Sequence, residues 1–212
     1  MQKISIWKSI WLGHSVTRAY LNQRLVKESL AGKTIDIGGG HDADYIKFMH
    51  RNTNVTFETF DVKAGAEINF ETDSLPAVND LYDTALFLNV MEHIFNHQHL
   101  ANEVVRIVKP GGQVIGFVPF LMWYHPDHRD FFRYTHEAIE IIFEKAGGKN
   151  ITVEAVYFGP GAAAAHMLLQ SFPRILRIPI FSIFYLFDVV YRKFRMNRAN
   201  VFALGYFFKV SK

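Results

Sequence analysis

Cysteine is absent from the 212-residue sequence. Its absence excludes disulfide bonds, thiolate catalysis and zinc–thiolate sites. Internal repeats and low-complexity linkers are absent too, and the uncharged run Ile178–Phe187 is shorter than the roughly 20 residues that a membrane-spanning helix needs. Met1–Trp11 has neither the long apolar core nor the cleavage site of a secretory signal. We therefore expect a single globular domain over residues 1–212, located in the cytoplasm.

Charge is divided unevenly along the chain. The formal net charge is +3, but the segment from Ser171 onward carries eight basic residues and one acid, Asp188. That segment is therefore +7, which leaves −4 on the first 170 residues. The pattern predicts an acidic globular body and a basic, aromatic segment that favours an anionic surface. Nucleic acid is not an expected partner, because the basic residues cluster on a hydrophobic element.

Apolar runs alternate with helical patterns along most of the chain. This rhythm predicts an α/β fold, with a doubly wound and mostly parallel sheet. The N-terminal region 1–30 is expected to be a helical lid, and 162–199 a helical insertion before the last strand. The predicted strands lie at about 33–37, 54–60, 83–89, 112–118, 150–158 and 201–210, and the predicted helices at 4–30, 42–51, 97–108 and 135–147.

A glycine loop follows the first predicted strand. Three consecutive glycines come two residues after Asp36 and precede a predicted helix. Glycine lets a ligand approach the backbone amides closely, and a helix N-terminus leaves N–H groups unpaired. Gly38-x-Gly40-x-x-Ala43 also satisfies the dinucleotide fingerprint, with Asp61 as the ribose acid, so an NAD-dependent oxidoreductase is one interpretation. No Ser-x-x-x-Tyr-x-x-x-Lys pattern follows, and no phosphate-loop Gly-Lys-Ser/Thr comes after the glycines.

Four motifs in order give a more specific indication. They are Ile35–Gly40, Asp61 after the second strand, Asp83–Ile94, and Glu103–Gly112. Together they resemble the class I S-adenosylmethionine-dependent methyltransferases, and in particular the type 11-like members of bacterial glycan and lipid pathways. The resemblance covers roughly residues 30–150. It implies a Rossmann-like sheet of seven strands with an antiparallel last strand, and S-adenosylmethionine as the cofactor.

The resemblance also implies the residues that hold this cofactor. Asp36 would accept from the ammonium group, and the carboxyl group of Asp61 would bind both ribose hydroxyls. An acid after the third strand, Glu71 or alternatively Asp73, would contact the adenine amino group. Asn89 would flank the methionine part. The complete predicted cofactor set is Asp36, Gly38, Gly39, Gly40, Asp61, Glu71, Asp73, Asn89 and His93.

A long loop between the fifth strand and the next helix carries the candidate acceptor-binding residues. His125 or His128 is the predicted base, with Asp127 as the residue that orients it. Arg129 and Arg133 are predicted to bind an anionic group of the acceptor, and Tyr124 to contact it. An alternative interpretation pairs Arg133 with Asp130 to brace the loop, and it is the better supported of the two. No metal site is predicted.

These patterns predict a methyltransferase that acts on an oxygen of a sugar or lipid-linked glycan in cell-envelope polysaccharide biosynthesis. The alternatives are a quinone or small-aromatic methyltransferase, the oxidoreductase described above, and a cofactor-binding module without catalysis. The segment 172–195 is predicted either to contact the inner face of the cytoplasmic membrane or to pack as a lid or subunit interface. The sequence is compatible with either a monomer or an oligomer.

Overall fold

A six-stranded sheet forms the centre of the fold. The computed structural model describes residues 5–39, 43–52, 54–60, 68–126, 129–194 and 199–212. The strands are β1 (Ser29–Leu30), β2 (Lys33–Ile37), β3 (His50–Arg51), β4 (Thr56–Phe60), β5 (Tyr82–Leu88), β6 (Val108–Pro119), β7 (Lys149–Val156) and β8 (Gly205–Ser211). The strand order in the main sheet is β4-β2-β5-β6-β8-β7, and β1 and β3 form a separate parallel pair.

Strand directions confirm the predicted fold class. The strands β4, β2, β5 and β6 run parallel, whereas β8 lies antiparallel to both β6 and β7. The central strand β5 is buried along most of its length, because both of its faces are covered. The fold is therefore the Rossmann-like arrangement with an antiparallel last strand that the motifs predict.

The expected count of seven strands is wrong for the described residues, which form six strands in this sheet. The third strand was predicted to precede Glu71, and residues 61–67 in that part of the chain lie outside the described residues. The described residues that follow form a turn, in which the carbonyl of Asn69 accepts from the amides of Thr72 and Asp73 and the carboxylate of Asp73 accepts from the amide of Asn69.

Helices cover both faces of the sheet. The helices α3 (His97–Ile107) and α4 (His136–Lys145) pack on one face, and Thr135 caps α4 by accepting from the amide of Ala138. The other face is covered by α1 (Ile6–Trp11), α2 (Val16–Leu25), α5 (Pro160–Leu169) and α6 (Arg174–Phe194). Short 3-10 turns occur at Asp44–Phe48, Met91–His93 and Ala199–Phe202.

The N-terminal region contains two helices rather than the single helix predicted over 4–30. Gly13 separates α1 from α2 with a φ of +95°, a conformation that glycine adopts readily. Ser15 then caps α2 by accepting from the amide of Arg18. The break matters because residues of α2 line a cavity together with residues at the carboxyl ends of β5 and β6.

A buried acid joins α5 to α6. The carboxylate of Asp188 accepts from the amides of Gly161 and Ala162, both at 2.7 Å, at the start of α5. No side chain fits at Gly161, where a Cβ would meet both the Phe184 carbonyl and this carboxylate. The two helices are therefore fixed side by side. None of the helices in the described ranges combines the length and the apolar character needed to cross a membrane.

Candidate active site at the carboxyl edge of the sheet

A cavity of about 490 Å³ lies beyond the ends of β5 and β6. Open α/β sheets bind ligands at this edge. One wall comes from α2, another from the segment after β5, and a third from the loop after β6. Its lining residues are Ser15, Thr17, Arg18, Leu21, Asn89, His93, Phe117, Pro119, Met122, His125 and Pro126.

The glycine loop rests on a buried carboxylate. Asp36 is fully buried near the end of β2, and its Oδ2 accepts from the hydroxyl of Tyr45 at 2.5 Å. A Cβ at Gly39 would collide with both of these groups, so only glycine fits there. Gly38 has a φ of +80°, and its amide donates to the carbonyl of Phe60 at the end of β4. The loop is thus shaped by its glycines and held against Asp36.

Arg18 contributes a cation to the cavity wall. Its guanidinium carbon lies 5.7 Å from the centre of the Tyr45 ring, on the side of the glycine loop. Burial lowers the pKa of Arg18, against the opposing influence of Tyr45 and Asp44. Within the described ranges, no carboxylate makes an ion pair with this guanidinium. Arg18 therefore offers a positive charge to an anionic ligand, and sequence motifs gave no signal for it.

The turn after β5 places a second carboxylate behind the cavity-lining residues Asn89 and His93. Asn89 has a φ of +57°, and its Nδ2 donates to the Oε1 of Glu92 at 3.3 Å. Glu92 is completely buried, and burial raises its pKa to about 7. Its Oε2 has no hydrogen-bond partner among the described residues. A carboxylate held in this way beside a cavity is a signal of function.

Two histidines converge on Glu92. The rings of His93 and His125 meet edge to face with their centres 5.3 Å apart. The Nδ1 of His93 bonds to the carbonyl of Arg129 at 2.6 Å, and the Nδ1 of His125 lies 3.4 Å from the Oδ2 of Asp130. One ligand atom from each of Glu92, His93 and His125 lies within 4.8 Å of the other two. The loop after β6 thus folds back onto the turn after β5.

The pKa values of His125 and of its neighbour Asp130 are both lowered, but by different causes. Burial lowers the pKa of His125, and the charges of His93 and Arg133 act in the same direction. Hydrogen bonds from Arg133 hold the pKa of Asp130 far below its usual value. Asp130 also accepts from the amide of His125 at 2.9 Å. It is therefore Asp130 that positions His125, and sequence reasoning assigned it only the pairing with Arg133.

Arg133 braces the acceptor loop. Its guanidinium makes a two-pronged ion pair with Asp130 and donates to the carbonyls of Met122, Trp123 and Phe132. This arrangement matches the alternative interpretation of Arg133 rather than a role in binding an acceptor anion. The guanidinium is occupied by these internal contacts, and it fixes the shape of the loop that carries His125.

The remaining predicted residues occupy several environments. Glu71 is tied to the fold, because its carboxylate accepts from the amides of Phe95 and Asn96. Asp73 belongs to the turn at Asn69, and the side chain of Tyr124 is 71% exposed. Arg129 is exposed, and its carbonyl accepts from His93. Gly40, Asp61, Asp127 and His128 were also predicted, and they lie outside the described residues.

Another histidine lies behind the acceptor loop. His166 is buried in α5, stacks on Trp123 at 4.6 Å between ring centres, and contacts the sulfur of Met122. Burial lowers its pKa to about 4, with a smaller influence of His125. A neutral ring at this place joins the loop after β6 to α5 and supports the wall of the cavity.

Comparison with known proteins agrees with this arrangement. A family model described as a methyltransferase domain matches residues 14–153. An uncharacterized methyltransferase of Mycobacterium leprae is 38% identical over 64 residues, which are 30% of this chain and 23% of that relative. The chain thus covers less than a quarter of the length of this relative.

Solved structures share the fold at low identity. A methyltransferase of Thermotoga maritima has a TM-score of 0.55 and 14% identity, over 93% of this chain and 91% of its own. Phosphoethanolamine N-methyltransferase 2 of Haemonchus contortus, in complex with S-adenosylhomocysteine, has a TM-score of 0.54 and 15% identity, over 98% of this chain and 56% of its own. Because the family model matches well over half of the residues, the chain belongs to the methyltransferase domain family.

Proposed function

We propose that the protein transfers a methyl group from S-adenosylmethionine to an acceptor bound in the cavity at the carboxyl edge of the sheet. The observation that carries the proposal is a cavity lined by Arg18 and Asn89 on one side and by His93 and His125 on the other. The Arg18 guanidinium lies over the Tyr45 ring, whose hydroxyl donates to the Asp36 carboxylate on which the glycine loop packs. In-line methyl transfer needs mainly that the acceptor atom and the sulfonium methyl be aligned and that water be excluded. A single cavity between these two sets of residues suits that requirement.

The cofactor would lie against the glycine loop. Its carboxylate suits the guanidinium of Arg18 and the loop amides, because charge-assisted hydrogen bonds are the stronger ones. Asn89 lies at the end of β5, where the methionine part would pass. The acid proposed for the ribose, Asp61, follows the end of β4, next to β2 in the sheet.

The acceptor would enter from the side of Met122, His125 and Pro126. We propose an oxygen acceptor on a sugar or lipid-linked glycan, with His125 as the group that takes its proton and Asp130 as the residue that orients the ring. As the acceptor oxygen bonds to the methyl carbon, the bond from that carbon to sulfur breaks, and its electron pair stays on sulfur. A quinone or another aromatic hydroxyl compound is the alternative acceptor, which the apolar Met122 and Pro126 would also accommodate.

Binding of the cofactor is the first test. We expect S-adenosylmethionine to raise the melting temperature of the purified protein and NAD⁺ to leave it unchanged. Arg18→Gln should weaken cofactor affinity by about tenfold, because an ion pair in a partly buried site contributes roughly 1.4 kcal/mol or more. Arg51→Gln, an exposed arginine of β3, is the matched control. No calorimetric binding at millimolar S-adenosylmethionine would contradict the proposal.

A membrane surface is the proposed location of the reaction. The outward face of α6 carries apolar side chains at helical spacing, and basic residues flank it at both ends. This combination of apolar and cationic groups suits the interface of an anionic bilayer, from which a lipid-linked acceptor would reach the cavity. The exposed apolar residues are Ile175, Ile183, Leu186, Phe187, Val190 and Phe194.

Flotation with vesicles tests this location. The protein should float with vesicles that contain phosphatidylglycerol, and Leu186→Glu should reduce the floated fraction severalfold by placing a charge among the apolar side chains. The control is Val78→Glu, which alters an exposed apolar residue outside α6. Equal recovery with and without vesicles would remove the membrane from the proposal and leave methyl transfer untouched.

A further inference from the structure

Three side chains at the cavity form a set that ordinary hydrogen bonding does not explain. They are Glu92, His93 and His125, which offer ligand atoms within 4.8 Å of one another. The side-chain exposures are 0% for Glu92, 16% for His93 and 26% for His125. The set therefore extends from the protein interior to the wall of the cavity, with the carboxylate at its base.

The buried carboxylate is the part of this set that needs a partner. Oε1 of Glu92 receives one long hydrogen bond from Asn89, and Oε2 receives none from the described residues. A buried carboxylate with one oxygen unpaired is costly, and a cation is one of the few groups that removes this cost. The nearest cation-forming group, His93, has its Nε2 3.7 Å from Oε1, which is too far for a hydrogen bond.

Both histidine rings are held from behind. His93 uses Nδ1 toward the Arg129 carbonyl, which fixes Nδ1 as the donor and leaves the lone pair on Nε2. The Nδ1 of His125 lies 3.4 Å from Oδ2 of Asp130 and 3.5 Å from Nη2 of Arg133, which itself donates to the same carboxylate. A carbonyl or carboxylate behind the ring is the usual support of a metal-binding histidine, because it sets the tautomer and the ring orientation.

We infer that Glu92, His93 and His125 bind one divalent cation of the zinc class. Two imidazoles and one carboxylate are a known catalytic ligand set for Zn²⁺, and three protein ligands leave a position open toward the cavity. Mg²⁺ is disfavoured, because it prefers oxygen ligands in octahedral geometry. The site has no short sequence signature, because His125 comes 32 positions after His93.

Such a cation would change how the acceptor is activated. This inference rests on the proposed function, and in it His125 binds the cation and is not the base. An acceptor hydroxyl at the open position would lose its proton to solvent more readily, and the resulting oxyanion would attack the sulfonium methyl. The methyl–sulfur bond then breaks as the methyl–oxygen bond forms, and the cofactor product leaves as a neutral thioether.

Metal binding to the untagged, chelator-stripped full chain tests the inference. After Zn²⁺ is added back and the excess is removed by dialysis, we expect mass spectrometry to show one bound equivalent. Protein loaded with Co²⁺ instead should show an absorption spectrum that Zn²⁺ abolishes and Mg²⁺ does not. Glu92→Gln and His125→Ala should each weaken Zn²⁺ binding at least about tenfold, in competition with a chromophoric chelator. His50→Ala, an exposed histidine of β3, should leave affinity and stoichiometry unchanged.

The result that would overturn the inference is equally specific. Less than about 0.2 equivalent of bound Zn²⁺, or equal affinity in the wild type, Glu92→Gln and His125→Ala, would remove the site. Circular dichroism and S-adenosylmethionine binding on the same samples show whether a variant has unfolded, and His93→Ala provides a third, independent ligand change if one has. A protein that binds the cofactor but no Zn²⁺ keeps the proposed function and loses the metal; one that binds Zn²⁺ alone loses the proposed function.

Discussion

Asp36 shows how one residue sets the shape of the cofactor loop. Its carboxylate is fully buried, receives the Tyr45 hydroxyl, and leaves no room for a Cβ at Gly39. The acid thus has a structural part in addition to any contact with a ligand. A buried carboxylate of this kind depends on its donors, since removing one leaves part of its desolvation cost uncompensated.

Removing the hydroxyl of Tyr45 should therefore lower the stability of the fold. Tyr45→Phe is expected to lower the free energy of unfolding by about 1–3 kcal/mol, because a buried charged acceptor loses a donor. Tyr82→Phe is the matched control, since that hydroxyl donates to Glu58, whose side chain is 45% exposed. Urea unfolding of both variants gives the comparison. A larger loss in Tyr82→Phe than in Tyr45→Phe would contradict the importance assigned to Asp36.

At the scale of elements, the sequence predicted regular structure well where local signals agreed. Thr135 begins α4 as a capping residue should, and Asn89 follows β5 as the motif implied. The break at Gly13 was missed, because a helical pattern continues on both sides of it. The described residues form six strands in the main sheet where seven were expected, and residues 69–73 form a turn held by side-chain hydrogen bonds.

The segment 75–77 is tied to α3 by hydrogen bonds to two paired charged residues of that helix. Glu103 accepts from the amide of Leu75 and pairs with Arg106, which itself donates to the carbonyls of Leu75 and Ala77. The hydrogen bond from Arg106 lowers the pKa of Glu103 below its ordinary 4.5, and partial burial opposes this. A lowered pKa means that the carboxylate stabilises the fold above about pH 4.5 and loses this contribution as the pH falls through its folded-state pKa.

Glu103→Gln should therefore destabilise the protein in a pH-dependent way. At pH 7 we expect a loss of about 1–2 kcal/mol, since the charged hydrogen bonds are weakened. The difference from the wild type should shrink as the pH is lowered below about 4.5. Denaturant unfolding across this pH range measures the difference in stability. Glu144→Gln, which changes an exposed residue of α4, is the control. A difference that stays constant with pH would show that the ion pair is not its source.

The junction of α5 and α6 gives a second prediction at this scale. Asp188→Asn replaces one of two acceptor oxygens by an amide that faces the Ala162 or Gly161 N–H, so we expect a loss of about 1–3 kcal/mol. Asp80→Asn is the control, because Asp80 is exposed and asparagine tolerates its φ of +57°. Thermal unfolding compares the two variants. If Asp188→Asn unfolds at the same temperature as the wild type, the buried carboxylate does not hold the helices together.

At the scale of the whole molecule, the excess of basic charge and the exposed apolar side chains of α6 lie in the same segment of the chain. The +7 segment from Ser171 onward includes α6, whose outward side chains are apolar, while the rest of the chain carries −4. This asymmetry would orient the molecule on an anionic surface with α6 against it. The sequence alone predicted the segment and its charge. It did not predict which face points outward, because that depends on the contact between Asp188 and α5.

Ionic strength should distinguish the electrostatic part of this association. The fraction bound to anionic vesicles is expected to fall severalfold between about 50 and 500 mM salt, because the Debye length shortens. Reversing the charge of Arg192 and Lys193 to glutamate should remove most of this salt dependence and leave cofactor binding unchanged. Centrifugation of vesicles at several salt concentrations measures both effects. Binding that does not respond to salt would point to the apolar face alone.

The site as a whole shows the limit of prediction from motifs. Asp36, Gly38 and Asn89 belong to local patterns and were predicted from them. Arg18 and Asp130 were not assigned to the site, because each becomes relevant only through contacts made far along the chain. Glu92 was not assigned either, because it meets the predicted base His125 only where Arg133 fixes the loop after β6.

The position of β8 has a consequence for how the protein is made. This strand is the last element of the chain, yet it lies between β6 and β7 inside the sheet. During translation at about 5–20 residues per second, β7 therefore waits for several seconds without a partner after it leaves the ribosome. The unpaired edges of β6 and β7 are exposed for that time, and other chains can pair with them. Ribosome-bound chaperones that cover hydrophobic strands should therefore matter more for its yield than for a protein whose last strand lies at an edge.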